Sequence, residues 1–226
     1  MYLEFKIVIF FIQPFYTFNF TKKLDKFRTM EKIRKYVILG ILLIILIIPM
    51  FLGIYIEYLF LQDLNLFVIL ILIFGLLILL LIGKLIAIYG YDSESIERMK
   101  KHDVIDVMIN KDNKIRLWLF FPLIMIIEEL IFRYYIIGFL LNQLDLEVIF
   151  AILISSLMFS LYHVHTWFAY KNLRILLIYL GYSFLLGLFN GWILLTLGIF
   201  PCVGIHSALA LYLYYSLYKK YFKTAD

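Results

Sequence analysis

The sequence predicts an all-α fold, a polytopic membrane helix bundle of about six transmembrane helices. Hydrophobic residues make up 65% of the 226 residues and charged residues only 16%, against about 25% charged residues in soluble domains. The mean hydropathy is +0.97. A soluble globule of this size has too little interior for so many apolar side chains. These observations exclude a soluble globule, a disordered chain, a disulfide scaffold and a DNA-binding domain.

The first two predicted spans occupy the N-terminal half of the chain. Residues 37–56 and 66–83 contain no formal charge and match or approach the length of about 20 residues that a spanning helix needs. We expect the second span to continue to residue 89, because Lys84 can extend its ammonium to the membrane interface. Residues 90–116 are polar and mixed in charge, which predicts a cytoplasmic loop with a short surface helix.

Four further spans are predicted in the C-terminal half. The third covers residues 117–141 and contains three charged residues, whereas the fourth covers residues 148–162. Residues 175–205 carry no formal charge and are too long for one span, so they predict two. The turn between these two is expected at residues 196–201, and the last span should end near Tyr218.

The basic residues predict how the chain is oriented in the membrane. Eighteen of the 21 Lys and Arg residues lie within four clusters, at residues 22–35, 98–116, 171–174 and 219–223. The alternate connections, at residues 61–65, 142–147 and 196–201, contain none. Cytoplasmic segments are enriched in Lys and Arg, so both termini are expected in the cytoplasm. We interpret the membrane as that of a prokaryotic cell. The net charge of +5 thus reflects topology.

The spans and charges divide the chain into four parts. Residues 1–29 are interpreted as an aromatic interfacial segment or as sequence upstream of a translation start at Met30. Cys202 is the single cysteine and has no intramolecular disulfide partner. The four parts are a cytoplasmic or interfacial N-terminal segment (1–36), two spans with a cytoplasmic loop (37–116), a four-helix catalytic-like core (117–218) and a cytoplasmic tail (219–226).

Three charged residues lie near the middle of the third span. At roughly 2.5–3.5 kcal/mol for each charge at the bilayer centre, they would cost on the order of 7–10 kcal/mol unless paired and solvated. Glu129 and Arg133 are four residues apart, a spacing that permits an ion pair on one helix face. An ion pair explains the presence of Glu129 and Arg133 but not that of Glu128. The three charged residues together therefore predict a functional site.

Two histidines on other spans extend this candidate site. His163 ends the fourth span, with Phe159 one turn earlier on the same face, and by itself resembles an interfacial or capping residue. His206 lies inside the last span, where a helix-to-helix hydrogen bond is the alternative explanation. His165 fits an interfacial belt, and His102 is interpreted as an ordinary surface residue.

The combination of carboxylates, arginine and histidines favours hydrolysis. A carboxylate shielded from bulk water can act as general base on a trapped water, while a histidine relays the proton or donates to an oxyanion. A metal site made by His163, His206 and Glu128 is an alternative. The chain has no HExxH pair, and sensitivity of the activity to chelators would separate the two mechanisms.

Three ordered motifs resemble a known family. Residues 128–133 match its EExxxR motif, residues 159–163 match FxxxH, and His206 follows in a third segment. Their order resembles the CPBP family of intramembrane proteases, or Abi proteins, which includes the type II CAAX prenyl endopeptidases. The resemblance covers about residues 117–218. It implies that Glu128 activates the water with help from His163, that Glu129 and Arg133 hold the geometry, and that His206 stabilises the oxyanion, without an essential metal or cofactor.

One position departs from the family pattern. The family commonly has Asn four residues after the last histidine, where this chain has Ala210. Asn190 on the preceding span is the best substitute donor, since the neighbouring glycines permit a close helix approach. The alternative for Asn190 is a structural hydrogen bond between two helices.

These observations lead to an expected function and its rivals. We expect an endopeptidase that opens toward the cytoplasm and hydrolyses a membrane-presented peptide or a prenylated protein tail. Its partners are that substrate and the lipid bilayer, without nucleic acid. The alternative is a non-catalytic relative acting as a bacteriocin-immunity or membrane scaffold protein. A transporter would predict inverted repeats, and the sequence shows no such repeat.

Overall fold

The protein is described here by a computed structural model that covers residues 23–110 and 116–223. Within these ranges the chain forms helices and turns but no β-strand. The predicted all-α membrane fold is therefore confirmed. The interfacial segment that we expected at the N-terminus lies, for residues 1–22, outside the described ranges.

Nine helices are named here in chain order. They are α1 (Lys23–Phe51), α2 (Leu66–Leu85), α3 (Ser93–Met99), α4 (Asp103–Asn110), α5 (116–142), α6 (Val148–Tyr162), α7 (His165–Tyr170), α8 (Leu173–Leu197) and α9 (Ile199–Tyr221). A π-helical turn, Ile86–Gly90, extends α2. α5 is one continuous helical run of four segments: π-helical Arg116–Phe120, α-helical Phe121–Glu129, π-helical Leu130–Ile137 and α-helical Gly138–Asn142.

Four helices in the described ranges are long and apolar enough to cross a membrane, namely Leu66–Gly90, Val148–Tyr170, Leu173–Leu197 and Ile199–Tyr221. They correspond to four of the six predicted spans. The apolar part of α1, Tyr36–Phe51, is shorter than a spanning helix, and α5 contains the three charged residues. The count of six therefore stays a prediction.

The first predicted span ends earlier than expected. Its helix stops at Phe51 rather than at residue 56. Pro49 has no N–H to donate, and Gly53 adopts φ +82°, a left-handed conformation that suits glycine. The chain then leaves the helix axis and forms a short 3-10 helix at Ile56–Leu59. Tyr134 of α5 fixes this segment by donating to the backbone carbonyl of Ile54 at 2.7 Å.

Basic connections meet at one end of the bundle. Lys220 at the end of α9 donates to the carbonyl of Ile88 at the end of α2, at 2.6 Å. Arg174 at the start of α8 pairs with Asp92 before α3, at 3.0 Å. Arg98, from a third cluster, donates to the carbonyl of Lys171 at 3.3 Å. These contacts bring three of the four basic clusters together, as the predicted topology requires.

The connections without basic residues meet at the opposite end. The backbone N–H of Gln62 donates to the carbonyl of Thr196 at 2.9 Å. Gly198 separates α8 from α9 with φ +82°, inside the predicted turn. A Cβ at this glycine would lie 2.8 Å from the carbonyl oxygens of Leu59 and Phe60. Only glycine therefore fits both the backbone angle and this close approach.

Small residues hold α8 close to α6. A Cβ at Gly187 would lie 3.0 Å from the Cα of Ser156, and one at Gly191 would lie 2.9 Å from a side-chain carbon of Ile152. Helices in membranes associate through such close packing of small residues. The packing fixes the position of α6, whose last turn carries Phe159 and is followed directly by His163.

Candidate active site

The winding of α5 changes directly after the two glutamates. Glu128 and Glu129 end an α-helical segment, and Leu130–Ile137 form a π-helix. π-Helical turns have i→i+5 hydrogen bonds and occur frequently at functional sites. Pro122 lies at the start of the α-helical segment Phe121–Glu129, so π-helical winding occurs both before this proline, at Arg116–Phe120, and after the glutamates.

Glu129 and Arg133 form the ion pair that their spacing predicts. Arg133 Nε lies 3.3 Å from Glu129 Oε2, and both side chains are 0% exposed. The guanidinium of Arg133 also lies 4.0 Å from the centre of the Phe159 ring, a distance at which a cation is attracted to the ring face. The motif phenylalanine of α6 thus covers the ion pair of α5.

His206 contacts both glutamates. Its Nδ1 donates to Glu129 Oε1 at 2.8 Å, and its Nε2 lies 3.8 Å from Glu128 Oε2. Straight helices would place His206 and Glu128 at different depths in the bilayer. In the structure, α9 begins at Ile199 and brings its second turn level with the end of the first α-helical segment of α5.

His163 lies next to this cluster without joining it. Its Nδ1 donates to the carbonyl of Phe159 at 2.9 Å. The Phe159 ring lies between the two histidines, with centroid distances of 4.9 Å to His163 and 5.5 Å to His206. No hydrogen bond or ion pair joins His163 to Glu128 among the described residues. Four predicted site residues are thus in contact with one another: Glu128, Glu129, Arg133 and His206. The ring of Phe159 separates His163 from them.

The cluster is closed from solvent and rich in polar atoms. Glu128 is 7% exposed and His206 is 4% exposed. Within the described ranges, several of its buried polar atoms have no hydrogen-bond partner: Glu128 Oε2, Glu129 Oε2 and the three guanidinium nitrogens of Arg133. Buried polar atoms are nearly always satisfied, by protein or by ordered water. The arrangement therefore has hydrogen-bonding capacity to hold water or a polar substrate group.

Asn190 lies beside this cluster on α8. Its Nδ2 donates to the carbonyl of Cys202 on α9 at 3.0 Å, and its amide lies next to the Glu129 carboxylate. This is the helix-to-helix hydrogen bond that we considered as the alternative to a substitute oxyanion donor. Ala210, one turn after His206, packs against an apolar cluster. The catalytic role of Asn190 remains a prediction.

Ser155 is a residue that the motif reading missed. Its side chain is buried, and Oγ donates to the carbonyl of Phe132 at 2.5 Å. Phe132 belongs to the π-helical segment that also holds Arg133, so Ser155 supports the backbone that presents the arginine. The signal was available, because a hydroxyl inside an apolar span usually bonds to a backbone carbonyl.

A histidine and two tyrosines connect the α3–α4 loop to the neighbourhood of His163. His102 Nδ1 accepts from the N–H of Val104, so the neutral ring donates through Nε2 to the Tyr214 hydroxyl at 2.9 Å. Tyr214 in turn bonds to the Tyr179 hydroxyl at 2.9 Å, and the Tyr179 ring lies 6.0 Å from that of His163. Burial lowers the pKa of His102 to about 4. The interpretation of His102 as an ordinary surface residue was wrong.

Metal ligation was considered from the sequence for His163, His206 and Glu128. The described residues contain no group of three or more His, Cys, Asp or Glu side chains that could hold a metal ion. The Phe159 ring separates the two histidines.

The fold and this cluster define a class: a helical membrane protein in which two glutamates, an arginine and a histidine from two helices meet in a buried site. Residues 111–212 match the family model described as Type II CAAX prenyl endopeptidase Rce1-like. The match covers just under half of the chain and includes all three motifs. The resemblance to the CPBP family is therefore confirmed over this segment, and CAAX-type proteolysis is the kind of function it supports. No curated protein and no solved structure matches the chain.

Proposed function

We propose that this protein is an intramembrane endopeptidase in which Glu128 activates the attacking water. The observation that carries the proposal is the environment of Glu128. Its Oε2 is buried, has no hydrogen-bond partner among the described residues and lies 3.8 Å from His206 Nε2. A buried carboxylate oxygen without a hydrogen-bond partner can accept a hydrogen bond from a trapped water, which suits general-base catalysis.

The proposed reaction is hydrolysis of a peptide bond. The Glu128 carboxylate takes a proton from water while the water oxygen attacks the carbonyl carbon. The resulting tetrahedral oxyanion collapses, and the carbon–nitrogen bond breaks. The protonated Glu128 then gives its proton to the leaving nitrogen, so the products are a new carboxyl end and a new amine.

The neighbouring residues have distinct proposed roles. His163 donates through Nδ1 to Phe159, so its neutral ring has an unprotonated Nε2 that can accept a proton or hold the water. His206 already donates through Nδ1 to Glu129. It can therefore donate to an oxyanion only through Nε2 and only when both ring nitrogens carry protons. The Glu129–Arg133 pair holds His206 and the π-helix in place.

The proposed substrate is a membrane-presented peptide or a prenylated protein tail. The matched family is described by its action on CAAX prenyl substrates, and a buried site among apolar helices favours a membrane-bound substrate. We propose that access is from the cytoplasmic side. His163 is half-buried at the end of α6 and leads into α7, next to the end of the bundle where the basic residues meet.

A non-catalytic role, in immunity to a bacteriocin or as a membrane scaffold, is the second candidate. It is favoured by Ala210, which replaces the usual asparagine and packs among apolar side chains. Under this alternative the polar cluster would only stabilise the bundle. Glu128 is the discriminating residue, because the Glu129–Arg133 pair already explains a structural role for the other two charges.

The test compares membrane peptides from cells that produce the wild-type protein or Glu128→Gln. The substitution keeps the shape of the side chain and removes the carboxylate. Glu147→Gln is the matched control, since Glu147 is exposed before α6 and outside the cluster. We expect peptides that end at one defined cleavage site in wild type and Glu147→Gln only. Identical peptides in all three strains, at equal protein levels, would contradict an enzymatic role.

A further inference from the structure

A membrane-facing groove runs between the end of α2 and the first half of α8. Its volume is about 890 Å³, and its lining is almost entirely apolar, with Ile82 and Ile86 on one wall and Leu177 and Ile178 on the other. Leu177 is exposed at its rim. The groove lies outside the candidate active site and shares no residue with it.

The length of the groove matches one leaflet of a bilayer. Its α8 wall extends from Leu173 to Leu185, which is about 18 Å at 1.5 Å per residue. Half of the hydrocarbon core of a bilayer measures about 15 Å. Gly181 lies in this wall, and a Cβ built on it meets no atom within 4 Å. The missing side chain leaves room for one hydrocarbon chain along the helix.

A cationic cavity adjoins the groove at the corner between α7 and α8. It has a volume of about 410 Å³ and is lined by Arg98, Lys101 and Lys171 together with Ala169 and Tyr170. Lys171 lines this cavity and Leu173 lines the groove, so only Asn172 separates the two in the chain.

The corner itself is rigid. The side chain of Asn172 is buried, and its Oδ1 accepts from the N–H of Ile175 at 3.0 Å and from Ser95 Oγ at 3.2 Å. Arg98 donates to the carbonyl of Tyr170 and pairs with Glu94. These bonds hold α3 against the start of α8 and fix the cavity relative to the groove.

The lysines supply the uncompensated charge of the cavity. Arg98 is paired with Glu94, and Arg174 at the groove mouth is paired with Asp92. Lys101 and Lys171 are exposed, and neither has an acidic partner among the described residues. Basic side chains next to the hydrocarbon region attract anionic lipid head groups.

We propose that the cavity and the groove together bind one anionic phospholipid. The phosphate of the head group lies between Lys101 and Lys171, and one acyl chain lies along α8 over Gly181. This site is independent of the proposed peptidase activity, because none of its residues belongs to the Glu–Arg–His cluster.

The experiment measures lipid retention by native mass spectrometry. The full chain is reconstituted in vesicles of phosphatidylcholine alone or of phosphatidylcholine with an equal amount of phosphatidylglycerol, and is then extracted in mild detergent. We expect one phosphatidylglycerol to remain bound in preference to phosphatidylcholine. Equal retention of the two lipids would overturn the proposal.

Two variants and two matched controls locate the lipid. Lys101→Gln with Lys171→Gln should weaken retention of phosphatidylglycerol by roughly thirtyfold, at about 1 kcal/mol for each lysine near the surface. Lys219→Gln is the charge control, on an exposed lysine outside the cavity. Unchanged retention in the double variant would refute the proposed position of the head group.

Gly181→Phe should fill the groove and abolish retention, whereas Gly204→Phe, at an exposed glycine with equal space on α9, should not. Gly181→Leu replaces the first variant if it fails to accumulate. Wild-type retention with the groove filled would refute the proposed path of the acyl chain.

Competition with inorganic phosphate distinguishes a lipid site from a phosphate site, and displacement of the phosphatidylglycerol by phosphate alone would contradict the proposal.

Discussion

Removing Arg133 should destabilise the protein more than removing any exposed charge. Arg133→Ala leaves the Glu129 carboxylate, which is 0% exposed, without a permanent cation and with the neighbouring His206 and Asn190 as its polar contacts. Breaking a buried ion pair by removing one side costs about 3–5 kcal/mol. Loss of the contact with the Phe159 ring adds about 0.5–2 kcal/mol to this cost. The remaining hydrogen bond from His206 offsets part of the total destabilisation. We therefore expect the free energy of unfolding to fall by about 3–5 kcal/mol.

The assay is chemical unfolding of the purified variants in detergent, together with their abundance in the membrane. Lys100→Ala is the control, because Lys100 and Glu97 form an exposed ion pair at the end of α3, and such pairs contribute about 0–1 kcal/mol. Adding Glu129→Gln to Arg133→Ala should restore about 1–3 kcal/mol, since it removes the unpaired buried charge. The reasoning would be refuted if Arg133→Ala behaved like Lys100→Ala, or if the double variant were no more stable than the single one.

Three further predictions concern other parts of the molecule. The pKa of His102 is lowered to about 4 in the folded protein, so on acidification this histidine is protonated in the unfolded chain before it is protonated in the folded one. Stability should therefore be lost as the pH falls from about 6.5 toward 4. His102→Gln should show a shallower fall in Tm over this window, and an equally steep fall in the variant would contradict the assignment of the pH dependence to His102. If Asn190 is the substitute oxyanion donor, Asn190→Ala should abolish cleavage of a membrane peptide and Ala210→Asn should partly restore it, whereas unchanged rates would remove Asn190 from the site. Tags at both termini should be accessible from the cytoplasm and a tag in residues 142–147 from outside, and opposite sides for the two termini would contradict six spans.

Much of the fold was predictable because charge-free apolar runs carry the signal for membrane helices. The turn at residues 196–201 was predicted from Gly198 and Pro201, and the structure separates α8 from α9 at Gly198. The end of the first span was not predicted. Hydropathy continues past Pro49 and Gly53, whereas the backbone does not continue as a helix there. Hydropathy reports the preference for lipid and says little about backbone geometry.

The candidate site was predictable only in part. The Glu129–Arg133 contact follows from helical spacing, because residues four apart share a face. The position of His206 between the two glutamates depends on tertiary packing, which a straight-helix argument does not include. The π-helical winding that Ser155 supports was equally unpredicted, since a repeat of 3.6 residues was assumed throughout α5.

The lipid site had no sequence signal of its own. Lys101 and Lys171 are far apart in the chain and belong to clusters that we interpreted only as topology signals. Gly181 lies in an apolar span among other glycines, and the space around it becomes visible only when α2 and α8 are placed side by side.

Cleavage of a defined substrate in labelled water tests the central claim most directly. Purified wild-type protein in vesicles is incubated with a farnesylated CAAX peptide in ¹⁸O water, and the products are weighed by mass spectrometry. We predict one ¹⁸O atom in the new carboxyl group and a rate lower by about 100–10,000-fold in Glu128→Gln, the range expected for a general base. Cleavage by Glu128→Gln at the wild-type rate would contradict the assignment of Glu128 as the residue that activates the water.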